Sequence, residues 1–292
     1  MKKSVLAAAT VAIFAGCFAH AADAPQDAKD WRPVDPGNLV LIGTKYGEVA
    51  VELSPAFAPK HVERMRALIR AHFYDGTNFY RVIEGFVAQG GIGEGDDKKS
   101  KEWPPLKAEF ERPWGRDVTF TPSGSPDLFA TQTGHVDGFP VGRDPKTKTE
   151  WIIHCPGTFA FARDNGADTA ATEFYVVIGE APRRLDRNLT AFGRVLDGMQ
   201  YLQKLDRGDP AIDNGVIADK TKQAPITYVK LASDMPDAER PHYEVMRTDS
   251  KAFAAWKANK KNPAPGFYIR QPPHVLDICL APVPVRKSPI KS

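Results

Sequence analysis

Short alternating apolar runs, broken by glycine and proline, fill the chain from Leu39 onward. NLVLIGTKYGEVAVELSP (38–55) places two such runs around Thr44-Lys45-Tyr46-Gly47. Val49, Val51 and Leu53 alternate with Glu48, Ala50 and Glu52, which predicts two strands joined by a turn. Pro55 and Pro59 stop the second strand. Over about 59–71 the period changes: Val62, Met65, Leu68 and Ile69 fall at helical spacing, with Lys60, Glu63, Arg64, Arg66 and Arg70 on a solvated face. FYRVIEGFVAQGG (79–91) then reads as a buried strand, a glycine break and a second short strand. GTFAFAR (157–163), EFYVVIG (173–179) and ITYVKLAS (226–233) are further strands. In EFYVVIG, Phe174, Val176 and Ile178 share one face, and Glu173, Tyr175 and Val177 the other. LTAFGRVLDGMQYLQKLD (189–206) predicts a short strand, a glycine-bearing turn, and a helix with Met199, Leu202 and Leu205 on one side.

Two regions interrupt this pattern. Residues 92–156 hold 7 Gly and 8 Pro in 65 positions, which predicts mostly turns. The same stretch carries Trp103, Phe110, Trp114, Phe120, Phe129, Phe139 and Trp151, too many aromatics for a solvated tail, so much of it is expected to be ordered against the core. DDKKSK (96–101) reads as an exposed loop tip. Residues 234–292 form an extension, expected to pack on the rest. SKAFAAWKANKK predicts a helix from Ser250, with Asp249 as the cap candidate and Asn262-Pro263 as the stop. HVLDICLA (274–281) alternates Leu276, Ile278 and Leu280 and predicts a strand. No internal repeat is present.

The start of the chain is of another kind. In MKKSVLAAATVAIFAGCFAHA, Lys2 and Lys3 precede an apolar run from Val5 to Phe18, and Ala19-His20-Ala21 is a small-residue cleavage site. The run is too short to span a bilayer, so residues 1–21 read as a removed secretory signal similar to Gram-negative periplasmic ones. Phe14-Ala15-Gly16-Cys17 offers the alternative of a lipoprotein box with Cys17 acylated. Export follows from either. Residues 22–37, polar and proline-rich, read as a flexible leader. Without Lys2 and Lys3 the balance is 37 basic against 36 acidic residues, which gives no polyanion-binding stripe and excludes a nucleic-acid partner on charge grounds. Cys155 and Cys279 then remain. In an oxidising compartment two such thiols pair, with two separately buried thiols as the alternative.

The chain shows no HExxH, CxxC or G-x-S-x-G, so an exported hydrolase has no visible metal or serine apparatus. No metal and no cofactor are expected. GGIGEG (90–95) runs into a charged stretch and not a helix, so it is not a nucleotide loop. What stands out is Arg81 and Gln89 inside an aromatic-rich surface. Singly, Arg81 reads as a stem on apolar surface with its head in water, and Phe86 as core.

Together they resemble something specific. FYDGTNFYRVIEGFVAQGG is similar to the signature strand pair of the cyclophilin family of peptidyl-prolyl isomerases: Phe73, Tyr74, Asp75, Gly76, Phe79, Arg81, Val82, Ile83, Gly85, Phe86, Gln89, Gly90 and Gly91 all stand in place, with Glu84 where the family has proline. Residues 157–199 resemble the family's second half, and 46–69 its first strand and helix. The resemblance covers roughly 38–91 and 157–233. It implies a mainly β fold: a closed antiparallel eight-stranded barrel capped by two α-helices over 38–233, with the insertion at about 92–156 and the extension 234–292 added. It also implies proline-containing polypeptides as substrates, and a monomer is expected. Arg81 and Gln89 match the catalytic pair. Phe86, Phe161, Ala162, Tyr175, Leu185 and Leu189 match substrate-contacting positions. Arg184 and Leu189 replace a common tryptophan and histidine, while Glu173 and Arg163 replace a glutamine and an asparagine on the groove rim. These changes add charge and weigh against cyclosporin-like ligands. A non-catalytic peptide-binding module on the same fold is the alternative.

Overall fold

The computed structural model describes residues 27–93, 101–115 and 118–288. The expected signal with Cys17, and residues 96–100 of the charged run, lie outside the described residues.

The chain enters through β1 (Trp31–Pro33) and then forms β2 (Leu39–Thr44) and β3 (Gly47–Leu53), paired from Leu39↔Glu52 to Thr44↔Gly47. Helix α1 (Pro59–Arg70) follows, and β4 (Asn78–Val82) and β5 (Val87–Gly91) complete the first half. The insertion contributes β6 (Arg112–Pro113), β7 (Phe120–Pro122), β8 (Gln132–Val136), β9 (Phe139–Asp144) and β10 (Thr149–Ile152). After it come β11 (Thr158–Phe161), β12 (Phe174–Val177), β13 (Ala191–Asp197), a helical turn α2 (Met199–Leu202) and β14 (Ala224–Leu231). The extension adds β15 (Tyr243–Met246), helix α3 (Lys251–Lys261) and β16 (Val285–Lys287).

Eight strands close a barrel in the order β11-β12-β5-β4-β14-β2-β3-β13, every pair antiparallel. Closure leaves no exposed edge among these strands. The interior is filled by Val40, Ile42, Val49, Val51, Phe79, Phe159, Phe174 and Phe192, and α1 covers one end with Val62, Met65, Leu68 and Ile69. Not all of its polar face is merely solvated: Arg66 Nε donates to the Gly37 carbonyl at 2.9 Å and Arg64 Nη1 to that of Ala171 at 3.1 Å. The second cap is one α-turn, with Leu202 and Leu205 still buried beneath it.

Outside the barrel the structure departs from the pattern reading in four places. The leader is not flexible where it is described. Trp31 is buried, Val34 N donates to the Tyr243 carbonyl at 2.9 Å, and β1 pairs with β15 in a three-stranded sheet. The insertion is not mostly turns. Its strands form a five-stranded sheet, β6-β10-β9-β8-β7, built from runs of two to six residues too short for periodicity to register. Residues 274–281 are not a strand: Asp277 Oδ1 accepts from Cys279 N at 2.8 Å and caps a 3₁₀ turn, Ile278–Leu280, that leaves Leu280 exposed. Ser250, not Asp249, caps α3, its Oγ accepting from Phe253 N at 3.0 Å, while Asp249 pairs with Arg247.

Two devices bind these additions to the barrel. Glu52, buried on β3, pairs with its cross-strand neighbour Arg194 at 3.0 Å and with Arg32 of β1 at 2.7 Å; Arg32 also reaches Asp137 in the β8–β9 turn. Second, Cys155 and Cys279 form a disulfide that joins the extension to the segment just before β11, across a separation of 124 residues. Closing so long a loop removes denatured-state entropy worth about 2–4 kcal/mol. Replacing Cys279 with serine is therefore expected to lower the thermal unfolding midpoint and to expose the segment after α3 to protease. An unchanged midpoint in calorimetry would show that the segment is held without the bond.

Candidate active site

Strands β4 and β5 place Arg81 directly opposite Gln89. The tight return between them turns on Gly85, at φ +68°, a left-handed conformation that costs glycine little. Phe86 N closes it on the Ile83 carbonyl at 3.1 Å. Gly179 lies against this turn so closely that a Cβ there would meet Gly85 Cα at 2.2 Å. The contact is sealed by Ile178 N to Phe86 O and Glu180 N to Gly85 O, both 2.9 Å. This is how the glycine break brings Phe86 onto the face shared by Arg81 and Gln89.

The half-buried Arg81 uses two donors within the protein. Its Nε donates to the Asn214 carbonyl at 2.8 Å, and its Nη1 to Gln89 Oε1 at 2.9 Å. Neither bond uses Nη2, and among the described residues Nη2 has no partner. Burial lowers the Arg81 pKa from its ordinary value, yet a guanidinium stays charged at any physiological pH.

The proton positions behind it follow by elimination. Arginine only donates, so Gln89 must turn Oε1 toward it and Nε2 away. Nε2 then donates to the Tyr80 hydroxyl at 2.5 Å. Burial, and after it the charge of Glu173, push the Tyr80 hydroxyl far up, so it keeps its proton. The Glu173 carboxylate accepts from Ile92 N at 3.1 Å and Gly93 N at 3.4 Å, and it fits because residue 91 is a glycine: a Cβ there would lie 2.3 Å from Oε2. Burial raises the Glu173 pKa against these bonds. Glu173 is thus an internal anchor and not the free rim charge that its replacement of a glutamine suggested.

An open groove of about 1260 Å³ runs past this network. Phe86, Ala162, Tyr175, Leu185 and Leu189 line it beside Arg81 and Gln89, so the structure brings together seven of the eight sequence-predicted catalytic and substrate positions. Phe161 is the exception. It points into the barrel, fully buried, with its ring 4.8 Å from Phe192 and 5.8 Å from His61. Strand alternation dictates this, because Ala160 and Ala162 take the outer face. Arg163, half-buried at the rim, is tied to the carbonyls of Asn188 and Asp164. Sequence reasoning missed Tyr80 and Asn214. Tyr80 carried a signal, one position from Arg81, whereas Asn214 meets Arg81 across 133 residues.

A barrel of this order, with an arginine and a glutamine beside an apolar recess, defines the cyclophilin class, and the chain belongs to it. The family described as cyclophilin type peptidyl-prolyl cis-trans isomerase/CLD matches residues 39–231. The chain is accordingly a peptidyl-prolyl cis-trans isomerase by family. It is 28% identical over 233 residues to a probable peptidyl-prolyl cis-trans isomerase of Brucella suis, covering 76% of this chain and 93% of that one. It is 31% identical over 170 residues to a peptidyl-prolyl cis-trans isomerase of Helicobacter pylori, covering 58% and 80%. Among solved structures it is similar to the cyclophilin AquaCyp293 from Hirschia baltica, with a TM-score of 0.72, 28% identity, and coverage of 89% of this chain and 94% of that one. That likeness reaches beyond the barrel into the added segments.

Because the Tyr80 hydroxyl accepts from Gln89 Nε2, Tyr80→Phe is expected to lower kcat/KM on an Xaa-Pro peptide about three- to tenfold, the worth of one buried hydrogen bond, with the circular dichroism unchanged. Activity equal to wild type would show that Gln89 is held without it.

Proposed function

We propose that this isomerase turns Xaa-Pro bonds in exported polypeptides and so assists their folding outside the cytoplasm, with Arg81 as the electrophile and Gln89 as its support. The observation that carries the catalytic part is that Arg81 lines a groove beside an apolar recess with its Nη2 unshared among the described residues.

The chemistry follows from the bond. An Xaa-Pro amide rotates over a barrier of roughly 18–20 kcal/mol because the nitrogen lone pair is delocalised into the carbonyl. Half-way round, that lone pair returns to nitrogen and becomes a hydrogen-bond acceptor, which it is not when the bond is planar. A donor aimed at it binds the transition state and not the ground state. In this reading Phe86, Tyr175, Leu185 and Leu189 grip the proline ring while the preceding carbonyl swings, and Ala162 lets the peptide backbone lie close. A hydrogen bond to a charged group is worth about 1.5–3 kcal/mol, or one to two decades of rate.

Export rests on different observations: the signal pattern of residues 1–21, and a disulfide of a kind kept in oxidising compartments. The proposed organisation is a periplasmic protein with its isomerase domain over 38–233 and the extension clamped to it.

Arg81→Ala is expected to lower the exchange rate of an Xaa-Pro peptide, measured by NMR, about 10- to 100-fold with the fold intact, and Arg81→Lys to restore only part of it because lysine lacks the planar fork. A rate within twofold of wild type for Arg81→Ala would remove the arginine from the mechanism. For export, cell fractionation of the full chain is expected to recover a periplasmic product whose mass lacks residues 1–21; a cytoplasmic product of full mass would refute it.

A further inference from the structure

Behind the groove lies a second buried polar chain that the mechanism above does not use. Tyr175, on the recess side of β12, places its hydroxyl 2.9 Å from His154 Nε2, with the two rings nearly parallel at 16°. His154 is fully buried. Its Nδ1 lies 3.0 Å from Asp186 Oδ1, which also accepts the His154 backbone N–H at 2.9 Å. The other oxygen of Asp186 accepts Arg183 Nε at 2.7 Å. Arg183 then grips Asp127 with both terminal nitrogens, at 2.8 and 2.9 Å.

Each group's role is fixed by its neighbour. Asp186 Oδ1 accepts from the His154 ring N–H at Nδ1, which turns Nε2 toward the Tyr175 hydroxyl. Burial, followed by the Asp186 charge, pushes that hydroxyl well up, so it keeps the proton to give. At the far end burial opposes it most, but the hydrogen bonds from Arg183 hold the Asp127 carboxyl below its ordinary value. The chain thus ends in an ionised pair.

The parts it connects belong to three different segments. Tyr175 floors the recess. Arg183 begins the 3₁₀ turn Arg183–Leu185, whose last residue lines the same recess. Asp127 belongs to the insertion, where Oδ1 also accepts from Phe129 N and Ala130 N and so fixes its own loop. Tyr175 and Leu185 lie ten residues apart in sequence, and this chain of hydrogen bonds runs between the elements that carry them.

We propose that His154 is a positioning residue of the isomerase: through Tyr175 on one side, and through Asp186 and Arg183 on the other, it sets the width of the proline recess, and Asp127 of the insertion locks that setting. The proposal rests on the reading of Tyr175 and Leu185 as recess walls. A recess of the wrong width weakens the grip on the ring in ground and transition states alike, so the loss falls on KM and leaves kcat nearly unchanged. A variant that merely destabilised the fold would reduce the active fraction and leave KM alone.

The test is NMR exchange on an Xaa-Pro peptide across substrate concentrations, with thermal midpoints recorded in parallel. Tyr175→Phe keeps the ring and removes the donor. Asp127→Asn keeps the oxygen that fixes its own loop but loses the second one gripping Arg183, at a residue that does not line the groove. Each is expected to raise KM about three- to tenfold, the size of one buried hydrogen bond, with kcat within about twofold. His154→Ala is expected to match Tyr175→Phe, the pair together to be no worse than either alone, and His154→Gln, which still reaches the hydroxyl, to recover most of the loss. Should His154→Ala fail to fold, Tyr175→Phe and Asp127→Asn decide the matter. Unchanged KM in both overturns the proposal, and additive effects in the double variant overturn the coupling. With wild type as control, neither result touches the Arg81 reading, which stands or falls on kcat.

Discussion

Arg81 is held in place entirely by neutral oxygens. A carboxylate in the position of Gln89 or of the Asn214 carbonyl would fix the guanidinium as firmly, but it would also neutralise the charge that the proposed mechanism brings to the prolyl nitrogen. Here the nearest carboxylate in the network, Glu173, stands beyond both Gln89 and Tyr80, with those two side chains between it and the guanidinium. The arginine, which only donates, itself fixes the amide, so Gln89 cannot turn its NH₂ group toward it. Orientation is supplied without quenching, and the half-buried setting strengthens whatever bond the free donors make.

The recess beside it depends on burial from behind. Strands β5, β11 and β12 are apolar on both faces: Phe159, Phe174 and Val176 fill the barrel, while Val87, Ala160, Tyr175 and Val177 face outward. A bare barrel would present that outer face to water. In this chain the insertion sheet covers it with Val136, Phe139, Val141 and Ile152, in one cluster that also takes in Phe86, Ala162 and Leu189. The recess is therefore the open margin of a core shared by barrel and insertion. A dry, close-packed backing of that kind holds side chains in single rotamers, and the Tyr175–His154–Asp186 chain adds polar direction to the packing.

The extension stabilises this arrangement indirectly. Its α3 sets Phe253 edge-on against His135 of the insertion sheet at 5.1 Å, and Thr121 Oγ1 donates to the Thr248 carbonyl at 2.7 Å. The insertion is thus gripped between the barrel and the extension, and an ionic cluster of the buried Glu52 and Arg194 with Arg32 and the exposed Asp137 joins three segments. Buried charges of this kind are weak evidence for net stability, since desolvation offsets much of the attraction. Their contribution is to specify which surfaces meet.

The amino-acid sequence by itself determined the barrel strands and α1, because period-2 and period-3.6 patterns report burial directly, while the grouping of Arg81, Gln89, Tyr175 and Leu185 at one site came from the motif's resemblance and not from periodicity. It did not determine the insertion sheet, the ordered leader or the 3₁₀ turn at Ile278–Leu280. Strands of two to six residues among prolines and glycines carry too few alternations to read, and they form because other surfaces bury them. Phe161 shows the limit from the other side: a matching position in the motif was outweighed by strand alternation, which turned the ring inward. Nor did any local pattern announce Asn214 to Arg81, Glu173 to Tyr80, or Asp127 to Arg183. Those contacts span tens to more than a hundred residues, and hydrogen-bond partners at that distance are chosen by the closure of the barrel and the packing of the insertion upon it.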